Sequence, residues 1–135
     1  MLQNVAARTS RFSVACLMMA AALFGTALVH SRETPATDGL PTVTLAELPA
    51  QGRDTYRLIL QGGPFPYEKD GVVFGNRERI LPPYKRGYYR EYTVRTPGSR
   101  DRGARRLVCG GLQPTAPEAC YYTSDHYASF RRLVE

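Results

Sequence analysis

Lysine is nearly absent from this chain of 135 residues: 16 of its 18 basic residues are arginine. Histidine appears only as His30 and His126, and cysteine only as Cys16, Cys109 and Cys120. No internal repeat is visible. No long basic amphipathic helix is present, which argues against a membrane-active peptide. The length leaves room for one domain and not comfortably for two. What the chain does have is positive charge, 18 basic against 12 acidic residues for a net +6. Arginine's planar fork grips two phosphate oxygens at once, which lysine cannot do. Such a charge suits an anionic partner, nucleic acid or a membrane surface. A merely soluble basic protein has the same composition, so charge alone does not decide.

One uncharged apolar run, Phe12 to Val29, follows Arg8 and Arg11 and ends at His30-Ser31-Arg32. Basic end, apolar middle and nearby small residues describe a secretory signal, cleaved after Ala27 or Ser31. The alternative is an uncleaved membrane anchor, for which 18 residues are short. Cys16 lies inside the run, which argues against a lipoprotein. Residues 1–31 are therefore expected to be a signal peptide (or anchor), 32–43 a flexible polar leader, and 44–135 the folded domain. Removing residues 1–31 leaves 16 basic and 12 acidic residues, a net +4, and makes His126 the sole histidine. Cys109 and Cys120 remain, an even count that in an exported chain suggests a disulfide; two free thiols are the alternative.

Between Leu45 and Gln61 the pattern is helical in part, with entry at Leu48-Pro49, an apolar face of Thr55, Leu58 and Ile59, and a stop at Gly62-Gly63. Pro64-Phe65-Pro66 cannot continue a helix. After an Asp70-Gly71 turn the chain turns β-like, from Val72-Val73-Phe74 into Asn76 to Ile80. Tyr88 to Val94 is the best strand, with Tyr88, Arg90, Tyr92 and Val94 on one side and Tyr89, Glu91 and Thr93 on the other. Further strands are expected at Arg105 to Cys109, Tyr121 to Thr123 and Ser129 to Val134, the last two joined by a turn around Ser124-Asp125-His126. One helix followed by several short strands is an α+β pattern.

RNA breaks when its 2′-hydroxyl attacks the adjacent phosphorus. That reaction needs a base, an acid for the departing 5′ oxygen, and positive charge around the phosphorus; no metal or other cofactor is required. The turn-rich segment TPGSRDRGARRL holds Arg100, Arg102, Arg105 and Arg106. His126 lies in a turn between aromatic strands, and Glu91 sits mid-strand among tyrosines. Taken singly, an arginine run is a solvated face, a lone histidine is incidental, and a strand glutamate is a cross-strand charge partner. Their joint order carries the weight.

The blocks GGPFPYEKDGVVFGNRERILP, GYYREYTVRTPGSRDRGARRL and ACYYTSDHYASF resemble, in order, the microbial guanyl-specific ribonucleases. This is the barnase-related family, and the likeness is to its actinobacterial ribonuclease Sa branch. It runs from about Leu45 to the C-terminus. It implies the microbial ribonuclease fold, a single N-terminal helix packed on a small antiparallel β-sheet. It implies Glu91 as general base, His126 as general acid, and Arg102 and Arg106 on the phosphate, with Tyr127 lining the phosphate site. It assigns guanine binding to the backbone of Phe74, Gly75, Asn76 and Arg77 and to the carboxylate of Glu78. The chemistry agrees: guanine offers two neighbouring donors, N1–H and the 2-amino group, and one carboxylate can accept both. Phe74 and the plane of Arg77 are placed to stack on the base.

The product expected is a guanosine 2′,3′-cyclic phosphate and then a 3′-phosphate, made by a secreted, monomeric endoribonuclease acting on single-stranded RNA. The resemblance also implies an acidic barstar-like inhibitor. Three departures stand out. Gly75 replaces a larger polar residue. CGGLQPTAPEAC is longer than its counterpart and brings its own cysteines. The cysteine near the start of the related domain is missing, where Thr44 or Leu45 stands. Two other readings keep the scaffold: a membrane-tethered or toxin-type nuclease, and a non-catalytic RNA-binding module. The second conflicts with the presence of base, acid and both arginines.

Overall fold

A computed structural model describes residues 38–135. The expected signal and the leader as far as residue 37 lie outside the described residues. Helix α1 spans Ala50–Gln61, entered from Pro49 with no side-chain cap. Its buried stripe is Gly52, Thr55 and Ile59, with Leu58 only half-buried on its flank. Gly62 ends it in the left-handed conformation, φ 80°, where a side chain would be strained. The N–H groups of Gly62 and Gly63 then bond to the carbonyls of Ile59 and Leu58 at 3.2 and 3.0 Å.

Five strands form one sheet: β1 Thr42–Thr44, β2 Tyr89–Thr93, β3 Arg106–Gly110, β4 Ala119–Thr123 and β5 Arg131–Val134. Their order is β1-β5-β4-β3-β2, with β1 parallel to β5 and the other pairs antiparallel. The sheet is thus mixed rather than wholly antiparallel. The parallel edge uses residues 42 and 43, which the sequence placed in a flexible leader. Their partners are remote: Val43, 1% exposed, pairs with Leu133. Just before them, the Asp38 carboxylate accepts from Tyr121 Oη at 2.8 Å and from Arg132 at 3.3 Å.

A second difference concerns Asn76 to Ile80, which form a loop and not a strand. Asn76 and Arg79 have left-handed backbones, φ 49° and 54°. The Asn76 amide closes the loop on Leu81, donating to its carbonyl at 2.9 Å and accepting its N–H at 3.2 Å. Only the preceding residues keep β character. Val73 bridges Arg90, and Phe74 N–H donates to Tyr89 at 2.9 Å.

Cross-strand register sorts the side chains into two cores. Tyr92, Leu107 and Tyr122 face α1 together with Leu48, Ile59 and Val94. Tyr89, Val108 and Tyr121 face the opposite way, with Leu81 and Phe130. Leu107 and Val108 are both 0% exposed, and each such side chain contributes roughly 1.5–3 kcal/mol by burial. Cys109 and Cys120 stand directly opposite each other on β3 and β4 and form the disulfide, among the side chains that face the helix. Among the described residues, no helix is long and apolar enough to cross a membrane.

Candidate active site

The register that builds the second core also builds the site. Glu91 pairs with Val108, and Thr93 pairs with Arg106, which pairs with Thr123. Directly opposed residues share a face, so Glu91, Thr93, Arg106 and Thr123 crowd one end of the face away from α1.

Glu91 is held at both oxygens. Arg102 Nη2 donates to Oε1 at 3.1 Å, and Tyr127 Oη donates to Oε2. Each carboxylate oxygen keeps a second lone pair for an incoming hydroxyl. Arg102 is in turn fixed at Nε, which donates to Thr93 Oγ1 at 3.0 Å. Thr93 is anchored by its own backbone: its N–H donates to Asp70 at 2.7 Å, and its carbonyl accepts the Thr55 hydroxyl at 3.0 Å. Helix, turn and strand thereby set the plane of one guanidinium.

Arg106 is only 3% exposed. Its Nη1 donates to the carbonyls of Gly103 and Arg105 at 2.9 and 2.7 Å, while its buried Nε has no hydrogen-bond partner. A buried cation with an unmet N–H is a demand for an acceptor, which a phosphate oxygen meets. Arg100 and Arg105, the other members of the arginine cluster, make no comparable approach. Arg100 is exposed, and the Arg105 carbonyl is spent on Val94 and Arg106.

The turn after β4 brings in His126 and Tyr127, both left-handed at φ 55° and 71°. Such backbone costs of order 1–3 kcal/mol per residue and persists only where the surroundings impose it. Here His126 N–H donates to Ala104 at 3.0 Å, tying this turn to the arginine loop. Tyr127 N–H donates to Thr123 Oγ1 at 3.2 Å. Burial pushes the Tyr127 phenol up to about 12; its bond to Glu91 and that group's charge add to the shift, and the Arg106 cation opposes it. The phenol is therefore a donor throughout the neutral range.

A cleft of about 400 Å³ opens beside Tyr127. Its lining includes Phe74, Gly75, Asn76, Arg77 and Glu78 on one side and His126 and Tyr127 on the other. The structure brings the ten residues singled out from the sequence near one another: seven line the cleft, Glu91 is bonded to Tyr127, Arg102 is bonded to Glu91, and Arg106 lies 6.0 Å from the Tyr127 ring centroid. Phe74 packs on the Tyr127 ring at 5.0 Å between centroids. Arg77 and Glu78 are exposed, and their side chains have no partner among the described residues. The Asn76 side chain is consumed in shaping the loop.

The chain that carries these residues is similar to known proteins. The family model for ribonuclease matches residues 31–134. The chain belongs to the ribonuclease family. It is 55% identical over 98 residues to the guanyl-specific ribonuclease St of Saccharopolyspora erythraea, covering 73% of this chain and 92% of that one. It is also 55% identical over 89 residues to the guanyl-specific ribonuclease Sa of Kitasatospora aureofaciens, covering 66% of this chain and 88% of the relative. Among solved structures, ribonuclease Sa2 in complexes with mononucleotides superposes with a TM-score of 0.66 at 49% identity, covering 71% of this chain and 95% of that one. Ribonuclease Sa2 has also been solved with guanosine-2′-cyclophosphate.

Two parts of this ribonuclease's site were not singled out from the sequence. Thr93 is the post for Arg102, and the signal available was its place two residues after Glu91 on the same face of a strand. Val73, Ile80, Ala128 and Phe130 complete the cleft wall. Phe130 and Val73 lie in segments read as strands, where an apolar side chain looks like ordinary core.

Proposed function

We propose that this ribonuclease cuts single-stranded RNA on the 3′ side of guanosine with Glu91 as base and His126 as acid. The observation that carries the assignment is the cleft itself. It sets the loop from Phe74 to Glu78 against His126 and Tyr127, with Glu91 one hydrogen bond away. Guanine enters between Phe74 and Arg77, and Glu78 accepts its N1–H and 2-amino group. The scissile phosphate then falls to Arg106 and Arg102.

Glu91 takes the proton of the guanosine 2′-hydroxyl as its oxygen bonds to phosphorus. The bond to the 5′ oxygen breaks, and His126, initially protonated, gives that oxygen its proton. The product is a 2′,3′-cyclic phosphate. In the second step neutral His126 takes a proton from water, water's oxygen bonds to phosphorus, and Glu91 returns its proton to the departing 2′ oxygen. A guanosine 3′-phosphate end results. Arg102 and Arg106 carry the charge that builds on the phosphoryl oxygens in both steps.

The basic end and apolar run of residues 1–31 support export, and a net +4 on the remainder supports an acidic, barstar-like protein inhibitor. The enzyme acts as a monomer. The deciding experiment incubates the purified protein, in EDTA, with short RNAs carrying a single G, A, C or U, and maps cut sites and end groups. Cuts only after G, with cyclic and then 3′-phosphate ends, are expected. Cuts after every base would remove Glu78 from its role, and no cuts by folded protein would remove the catalytic assignment. Mass measurement of the exported protein tests loss of residues 1–31.

A further inference from the structure

Between Leu81 and strand β2, the chain makes a turn carrying one aromatic ring, Tyr84, that belongs to neither core. Tyr84 lies flat on Tyr88, with centroids 3.8 Å apart and planes 12° from parallel. Tyr88 is itself fixed. Its ring lies against Gly110, where a Cβ would collide with it, and its Oη donates to Glu118 at 2.8 Å. Tyr89 meets both rings edge to face, 4.9 Å from Tyr88 and 6.0 Å from Tyr84. Being nearer Tyr88, Tyr89 does not cover the outer face of Tyr84. No other ring covers that face among the described residues, and Tyr84 is left 58% exposed. Burial of a ring stabilises a fold by the area it hides. A ring pinned on one face and bare on the other hides little and presents a flat π surface.

The same turn is basic. Lys85 and Arg86 are exposed, and neither side chain has a hydrogen-bond or ion-pair partner among the described residues. Arg86 Nη1 comes within 3.8 Å of where a Cβ on Gly75 would stand, so the turn reaches the lip of the cleft. One ring is too small a patch to seat a protein partner, and unpaired cations beside it favour a polyanion. A flat aromatic face next to such cations suits single-stranded nucleic acid: bases of any kind stack on the ring, and the cations attract the phosphates. We propose that the outer face of Tyr84 is a second base site, on which a nucleobase flanking the guanosine in the same RNA strand stacks. The proposal rests on reading the cleft as the guanine site.

The test measures kcat/KM for cutting after G by the wild type, Tyr84→Ala and Tyr84→Phe. Substrates are the dinucleotide G–C and the same unit extended on its 5′ or its 3′ side by adenosine or by an abasic nucleotide. The abasic extension adds the phosphate without the base, so the ratio of the two isolates stacking. Adenine is expected to raise the wild-type value about fivefold or more over the abasic extension on one side, which names the neighbour bound. Tyr84→Ala is expected to lose that gain while cutting G–C within about twofold of wild type, and Tyr84→Phe to keep it. No adenine gain in the wild type on either side would overturn the proposal, as would an equal gain in Tyr84→Ala. A second readout needs no cleavage. The chain has no tryptophan, so Tyr84→Trp places a lone fluorophore at the platform. It is titrated with the extended strands carrying 2′-deoxyguanosine, which lacks the attacking hydroxyl. Quenching by the adenine strand well beyond that by its abasic counterpart is expected, and equal quenching by the two would overturn the stack. A folded wild type that fails to cut G–C would overturn the reading of the cleft, while the fluorescence judges Tyr84 separately.

Discussion

The two halves of this site are built in opposite ways. The phosphate half is largely buried and braced, apart from the exposed His126: Arg106 is 3% exposed, and the Glu91 and Arg102 side chains keep 12% and 25% of their exposure. The base half is a loop whose proposed reading groups, Arg77 and Glu78, are exposed and unpartnered. Charge that builds in a transition state is best met by groups that do not have to move, because reorganisation at that moment raises the barrier. A base edge is the same in ground and transition states, so its readers can be organised by the ligand. In the proposed mechanism the base and one phosphate arginine stand on the sheet, the acid and the other arginine on turns tied to it, and selection on a separate loop.

Removing the acid or the base should have the largest effect. Glu91→Gln and His126→Ala are each expected to lower kcat by roughly 10²–10⁴-fold, read in single-turnover cleavage of a G-containing RNA. A variant that kept near-wild-type turnover would remove that residue from its role. The contrast between the halves is sharpened by pairing Arg106→Ala with Glu78→Gln. Arg106→Ala should lower kcat by about 10²-fold or more and also destabilise the fold by about 1–3 kcal/mol, since half-buried carbonyls lose their donor. Glu78→Gln should reduce the preference for G over A by roughly 10²-fold while leaving stability within about 0.5 kcal/mol. Should Glu78→Gln melt like Arg106→Ala, the two halves are one structural unit and the comparison fails.

The same division explains what was legible beforehand. Strand β2 announced itself by alternation, because Tyr92 and Val94 bury on one side and Tyr89 on the other. The stop at Gly62-Gly63 was local chemistry and was read correctly. The strand suggested for Asn76 to Ile80 failed because a single amide, Asn76 bonding Leu81, outweighs β propensity over that stretch. Residues 38–43 looked too polar to fold, yet Asp38 and Val43 find partners on β4 and β5 about ninety positions away. No local pattern carries such information. The site residues themselves were found through resemblance to a family. Composition supplied only the arginine excess, and Thr93 looked like any other strand threonine.

A smaller effect is expected from the disulfide, which lies on the side of the sheet facing the helix. Replacing Cys109 and Cys120 by alanine removes a link between residues 11 apart, worth at most about 3 kcal/mol in the chain-entropy account. Chemical denaturation should show that loss, with kcat unchanged because Glu91, Arg106 and His126 are reached from the other face. A parallel fall in kcat would mean that the two faces are coupled.

The smallest effect probes the turn that joins the halves. Asp125 Oδ1 accepts from Thr123 Oγ1 at 2.8 Å and from Ser129 N–H at 2.9 Å, and Oδ2 accepts from Ser129 Oγ at 2.5 Å. The Ser129 bonds, and then the one from Thr123, hold this carboxyl below its ordinary 3.8. A depressed value in the folded state means stabilisation that is present above the unfolded value and is lost as pH falls through the folded one. Asp125→Asn should therefore lower Tm slightly at pH 6, and the gap from wild type should close below about pH 3.8. The turn also imposes left-handed backbone on His126 and Tyr127, so loosening it lets both relax. A few-fold drop in kcat at neutral pH, without change in the G-over-A ratio, is the expected signature. It would place the turn with the braced half. A change in selectivity instead would place it with the loop, since His126 and Tyr127 line the cleft that receives the base.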